Sequence, residues 1–159
     1  MVKVIISGGQ TGADRAALDF ALEQGFEIRG YCPQGRRAED GHIDAKYPLQ
    51  EARSAAYPPR TRLNIRLADA TIIFNGLPEY SSGTRTAVKY AREHKRPFKV
   101  LRGFPDVVKD AAVLKQWLKK HKPQKLNVAG NSEEKLPGIY AHVLAVLRRA
   151  FGGARAVLL

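Results

Sequence analysis

Residues 2–24 constrain this chain more than any other stretch. An apolar run, Val2, Val4, Ile5 and Ile6, leads directly into Gly8-Gly9-Gln10-Thr11-Gly12-Ala13-Asp14. Ala17, Leu18, Ala21 and Leu22 then recur at helical spacing until Gly25. The order is strand, glycine turn, helix, and the same alternation continues. Strands are expected over residues 2–6, 26–32, 70–75, 98–101 and 125–129, and helices over 12–24, 84–94, 110–121 and 138–151. The run Ala70-Thr71-Ile72-Ile73-Phe74-Asn75 is apolar almost throughout, as a strand covered on both faces should be. The expectation is an α/β fold, an open and mainly parallel sheet flanked by helices, in a single ligand-binding domain over 1–159. Residues 33–66 interrupt the pattern with Pro33, Gly35, Gly41, Pro48, Pro58 and Pro59. Only short helices, 48–54 and 60–67, fit there, and the segment reads as an irregular cover beside a pocket.

The turn at 8–14 supplies chemistry as well as shape. It leaves backbone N–H groups free at a helix N-terminus, where the helix dipole favours negative charge. Glycines let the backbone approach a ligand closely. Gly8, Gly9, Gln10, Thr11 and Gly12 therefore point to an anionic small molecule, a phosphate ester first of all. Thr11 and Asp14 also have capping-box spacing, so both side chains stand between capping and ligand contact. Asp14 beside a bare phosphate needs Arg15 or a ligand donor to compensate it, and suits a hydroxyl or ring N–H better. On this reading Gly9→Val abolishes binding and leaves the fold intact. The turn is neither a full Gly-x-Gly-x-x-Gly nor a P-loop, which argues against dinucleotide binding and nucleoside triphosphate hydrolysis.

Two further loops repeat the arrangement. Asn75 and Gly76 lead to Ser81-Ser82-Gly83-Thr84 at the start of a helix, and Gly130-Asn131-Ser132 follows the last strand. In a parallel sheet all three loops lie at the carboxyl ends of strands, where ligands gather.

Charge is unevenly placed. Residues 1–84 hold ten basic and ten acidic residues, whereas 85–159 hold seventeen and five, which supplies the whole net charge of +12. Lys115, Lys119, Lys120, Lys122 and Lys125 are the densest part. Such a field concentrates anions, but no aromatic ladder interleaves the lysines, so nucleic acid is not the expected partner. No run approaches the ~18–20 apolar residues of a membrane span, and no leader pattern opens the chain. With Cys32 as the lone cysteine, a reducing cytoplasmic setting is expected. Cys32 reads as a small core residue, with a soft thiolate ligand as the rarer outcome. His42 reads as an exposed loop residue, and His94, His121 and His142 lack metal spacing.

The motifs Ser7-Gly8-Gly9-Gln10-Thr11-Gly12-Ala13-Asp14, then Tyr57 with Arg60-Thr61 and Asn64, then Ser82-Gly83-Thr84, then Asn127-Val128-Ala129-Gly130 resemble those of the molybdenum carrier family. That family is a circularly permuted relative of YpsA-like proteins in the SLOG group of Rossmann-like folds. The resemblance implies binding of the molybdenum cofactor, a molybdopterin with a terminal phosphate, for carriage or storage without turnover. It places Gly8, Gly9, Thr11 and Gly12 at a first anion site, Gly83 and Thr84 at a second, and Arg60 and Asn64 in the cover. It implies molybdoenzymes or cofactor-biosynthesis proteins as partners, and a homo-oligomer is expected of a small open sheet. Similar proteins carry Pro-Arg after Val-Ala-Gly, where this chain has Asn131-Ser132, which removes a cation from the third loop. The alternatives are a nucleotide-binding sensor and a nucleoside monophosphate phosphoribohydrolase-like enzyme. The second of these is disfavoured because Ala87 stands where those enzymes carry a catalytic glutamate. No catalytic residue and no metal ligand is assigned.

Overall fold

A computed structural model of the chain describes residues 1–152. In chain order the elements begin with β1 (Val4–Ile6), α1 (Ala13–Gln24), β2 (Glu27–Arg29), β3 (Tyr31–Cys32), β4 (Arg37–Ala38), β5 (Gly41–His42) and β6 (Gln50–Glu51). They continue with α2 (Tyr57–Leu67), β7 (Ala70–Phe74), α3 (Ser82–Glu93), β8 (Phe98–Leu101), α4 (Val107–His121), β9 (Lys125–Gly130) and α5 (Ile139–Phe151). The central sheet runs β2-β1-β9-β7-β8 with every neighbouring pair parallel.

Alternation within the strands divides the core. Ile5, Ile72, Phe74, Leu126 and Val128 pack with α1, α4 and α5 around Phe20, Leu114 and Val143. Ile73 faces the other way, against Ile65 of α2 and Ala87, Val88 and Ala91 of α3. Val4 and Ile6 close on Ala68. Successive side chains point to opposite faces, so a strand covered twice must be apolar at every position. All five residues of β7 are buried. This is the Rossmann-like α/β arrangement that the alternation of elements predicts.

Two local expectations are corrected. Residues 26–32 form not one strand but two, because Gly30 (φ 134°) turns the chain. A Cβ at Gly30 would stand 2.4 Å from the Ser7 carbonyl oxygen, which only glycine avoids. Residues 48–54 form no helix: Gln50–Glu51 are the short strand β6, paired in parallel with β3. The second helix starts at Tyr57 instead of 60, with Pro58 and Pro59 in the first turn, where a missing N–H costs nothing.

The segment 33–56 lies over α1. Cys32, Ala38, Ile43, Tyr47 and Leu49 bury against Leu18. Arg15 donates to both carboxylate oxygens of Asp40 (2.9 and 3.1 Å) and twice to the Gly9 carbonyl. Asp19 accepts hydrogen bonds from the phenols of Tyr47 and Tyr140. Burial and the Asp19 carboxylate raise the Tyr140 phenol to about 12, and the same two causes raise Tyr47. A raised phenol binds its proton more tightly in the fold than in the unfolded chain. The stabilisation is complete below pH 10 and is lost as pH climbs from about 10 towards 12. Urea unfolding should show this alkaline decline. Tyr47→Phe should lower stability by about 1–2 kcal/mol at pH 8 and flatten the decline. An unaltered alkaline slope in that variant would remove Tyr47 from the account.

Candidate functional site

Helix α1 leaves β1 towards one face of the sheet, α3 leaves β7 towards the other, and β9 lies between them. Connections that diverge in this way open a crevice at the carboxyl ends of the strands. A cavity of about 290 Å³ occupies it. Gln10 and Asp14 line it from the first loop, Tyr57, Pro58, Arg60 and Thr61 from α2, and Ser81 to Thr84 from the start of α3. Gly130, Asn131, Ser132 and Lys135 close it from the loop after β9, Glu39 contributes from the cover, and Ala87 forms wall.

Arg60 is the central cation. Its Nη1 donates to Thr61 Oγ1 (2.8 Å), its Nη2 lies 3.5 Å from Asp14 Oδ2, and it sits 5.6 Å from the centre of the Tyr57 ring. Its Nε is buried and has no partner among the described residues. Asp14 is almost wholly buried, and this desolvation raises its pKa against the opposing charge of Arg60, the Gln10 amide and Arg15. Sequence reasoning named Arg15 or a ligand donor as what could compensate Asp14. The Arg15 side chain bonds Gly9 and Asp40 and acts on Asp14 only as a more distant charge, and Arg60 is the nearer cation.

The start of α3 offers donors. Ser81 Oγ caps the Thr84 amide (3.2 Å), which leaves the Ser82 and Gly83 amides, at the positive end of the helix, without a partner among the described residues. A Cβ on Gly83 would meet nothing nearer than Ser81 Oγ at 3.9 Å. Pro58 and Pro59 leave α2 with fewer amides to give, so its contribution is chiefly Arg60 and the dipole.

Of the residues singled out from sequence, Gln10, Asp14, Arg60, Ser82, Gly83, Thr84, Gly130 and Asn131 line the cavity. The others stand behind it. Gly8 makes room for Arg60, whose Cζ would be 2.7 Å from a Cβ there. Gly9 (φ 82°) packs under the cover, its Cβ position 2.8 Å from Ile43 Cδ1 and 2.9 Å from Leu49 Cδ1, so Gly9→Val would disturb the fold and does not isolate binding. Thr11 does not cap α1, because Gly12 is the N-cap. Its hydroxyl donates to Glu39 (2.7 Å) and accepts from the Glu133 amide (3.2 Å), joining the cover to the loop after β9. Gly12 packs on Asn131 and Glu133. Asn64 is committed to both backbone groups of Tyr31 (2.7 and 3.0 Å) and does not reach the cavity.

Asn75 is a buried hub. Its Oδ1 accepts from the Ser81 amide, Thr84 Oγ1 and Asn131 Nδ2 (3.0–3.1 Å), and its Nδ2 donates to the carbonyls of Leu77 and Glu79. Asn131 Oδ1 accepts from the Gly76 amide (2.8 Å), so it binds the second and third loops together. Glu39 and Lys135 were missed, because a lone charged residue in an irregular segment has no periodicity to mark it. Cys32 is wholly buried, with its thiol raised by desolvation, which suits a core residue and not a ligand. Among the described residues no group of three or more His, Cys, Asp or Glu side chains could hold a metal ion, and no helix is long and apolar enough to cross a membrane.

The model of a family described as the circularly permutated YpsA SLOG family matches residues 5–151. The chain is also similar to a solved structure, that of a protein named putative molybdenum carrier protein from Syntrophus aciditrophicus SB. The two share 34% identity with a TM-score of 0.90, over 95% of this chain and 96% of the other. No curated protein matches the chain.

Proposed function

The chain belongs to the circularly permutated YpsA SLOG family, and from that premise we propose that it binds the molybdenum cofactor, a phosphorylated pterin, as carrier or store. The observation that carries this is the pairing, in one cavity, of anion-seeking donors with a carboxylate acceptor. The donors are the guanidinium of Arg60, the free amides of Ser82 and Gly83, and Lys135. The acceptor is the buried carboxylate of Asp14, which Arg60 Nη2 approaches to 3.5 Å. A phosphate would satisfy the donors, and a heterocycle bearing N–H groups would satisfy the acceptor. The protein named as a putative molybdenum carrier, with which this chain shares its fold along nearly its whole length, supports a molybdenum-related cargo.

The residues act by holding and shielding. Arg60 and the α3 amides orient the phosphate, the cover limits access of water, and Ala87 puts a methyl group in the wall beside α3. The positive field of the C-terminal half raises the local concentration of an anionic cargo, an effect that salt weakens.

Purification from a host that makes the cofactor should yield protein whose acid-oxidised extract shows pterin fluorescence. Gly83→Val, which places side-chain atoms in the open lip of the cavity, should lower pterin content about tenfold or more. It should move the melting temperature by no more than about 2 °C. Wild-type protein free of pterin that releases free base from a nucleoside monophosphate would replace the carrier with the hydrolase.

A further inference from the structure

At the inner end of the cavity two side chains each keep one atom unused. Gln10 Oε1 accepts from the amides of Thr11 (2.9 Å) and Glu39 (2.8 Å), which fixes the orientation of its carboxamide and leaves Nε2 without a partner among the described residues. Asp14 Oδ2 accepts from the Gln10 amide (3.3 Å) and faces Arg60 Nη2, whereas Oδ1 has no partner among the described residues. Both residues line the cavity, with only 9% and 2% of their surfaces exposed. The two residues thus bring a free donor and a free carboxylate oxygen to the same cavity, where a ligand can match both.

We propose that Gln10 and Asp14 together read the 2-amino-4-oxo-pyrimidine edge of the bound heterocycle. Gln10 Nε2 donates to the ring carbonyl, and Asp14 accepts from the ring N–H and the exocyclic amine. The inference rests on the cavity's being a site for a phosphorylated heterocycle. It deepens that reading by naming the edge that is recognised. Two adjacent N–H groups suit a carboxylate, whereas an adenine edge would turn a lone pair towards it. A 2-oxo ring would do the same with a carbonyl oxygen. Pterins and guanine share the matching edge, so the chemistry admits either source, and Arg60, beside Asp14, and the amides at the start of α3 remain for the phosphate.

The test compares pairs that differ only at position 2. Binding of 6-hydroxymethylpterin monophosphate is measured against its lumazine counterpart, and GMP against IMP, with AMP as control, by calorimetric titration of the full-length protein. The expected result is a preference of roughly 10–100-fold for the 2-amino member of whichever pair binds, the range for a hydrogen bond to a charged group. The pair that binds identifies the source. In Asp14→Asn the preference should fall to within about threefold. Should that variant not fold, the wild-type series alone decides. Tight binding of the pterin phosphate with equal affinity for its lumazine counterpart would overturn the edge reading and leave the carrier standing. Binding of neither pair would overturn both.

Discussion

Replacing Arg60 with leucine is expected to lower affinity for a phosphorylated pterin by about two orders of magnitude and to destabilise the protein in a pH-dependent way. The first effect follows from the cavity. Arg60 is a side-chain cation that lines the cavity together with the start of α3, its Nη2 3.5 Å from Asp14 Oδ2. Charge-assisted bonds from such a group to a phosphate are worth about 2–3 kcal/mol, which is roughly 100-fold in affinity. The second effect follows from Asp14. Arg60 is the largest influence lowering its pKa against the desolvation that raises it. Without Arg60 that pKa rises further. A raised carboxyl stabilises the fold most while it is protonated, and the benefit is lost as pH climbs through its folded pKa. The stability deficit of Arg60→Leu should therefore be small at pH 5 and reach about 2–3 kcal/mol at pH 8, where a carboxylate is left buried without its cation. Arg60→Lys keeps the charge but not the fork, so it should recover most of the stability and only part of the affinity. Titration calorimetry gives the affinity, and urea unfolding at the two pH values gives the stability. Equal deficits at pH 5 and pH 8 would show that Asp14 is not the group left behind.

The fold was legible because its signals are local and periodic. The buried run of β7, the glycine turn before α1 and the spacing within the helices each lie in one stretch of chain. The parallel direction of the strands was legible because helices alternate with them and parallel strands require such crossovers. What the sequence concealed depends on partners far away in the chain. The Asn64 side chain belongs to Tyr31, thirty-three residues earlier, and no spacing rule pairs them. Thr11 sits in a capping pattern but bonds to Glu39 and to the Glu133 amide, because Gly12 with φ 79° takes the N-cap position. Among the glycines, the motif marked a loop that borders the cavity, yet only Gly83 offers open space there, and Gly8 and Gly9 make way for Arg60 and for the cover. A glycine motif records where backbone must come close to something, and here that something is as often another part of the chain as a ligand.

The Asn75 hub gives the sharpest test of how the loops are held. Asn75→Asp changes one atom of a wholly buried side chain. Oδ1 can still accept from the Ser81 amide, Thr84 Oγ1 and Asn131 Nδ2. The atom that donated to the Leu77 and Glu79 carbonyls (3.2 and 3.1 Å) becomes an oxygen facing two oxygens. At neutral pH the variant must either hold a buried charge beside two carbonyls or let the loop 75–81 open. The expected loss is about 3–5 kcal/mol, together with the binding that depends on the position of α3. Asn75→Ala loses all five bonds but introduces no charge, so at pH 8 it should be the milder change. At pH 5.5 the order should narrow or reverse. A protonated aspartic acid regains one donor, and its raised pKa makes the variant more stable as pH falls. Urea midpoints for both variants at the two pH values, with pterin content read on the same samples, test the argument. An aspartate variant as stable as wild type at pH 8 would mean that Asn75 is not the tie between the second and third loops, and that α3 owes its place to packing against Ile73 and Ile65 alone.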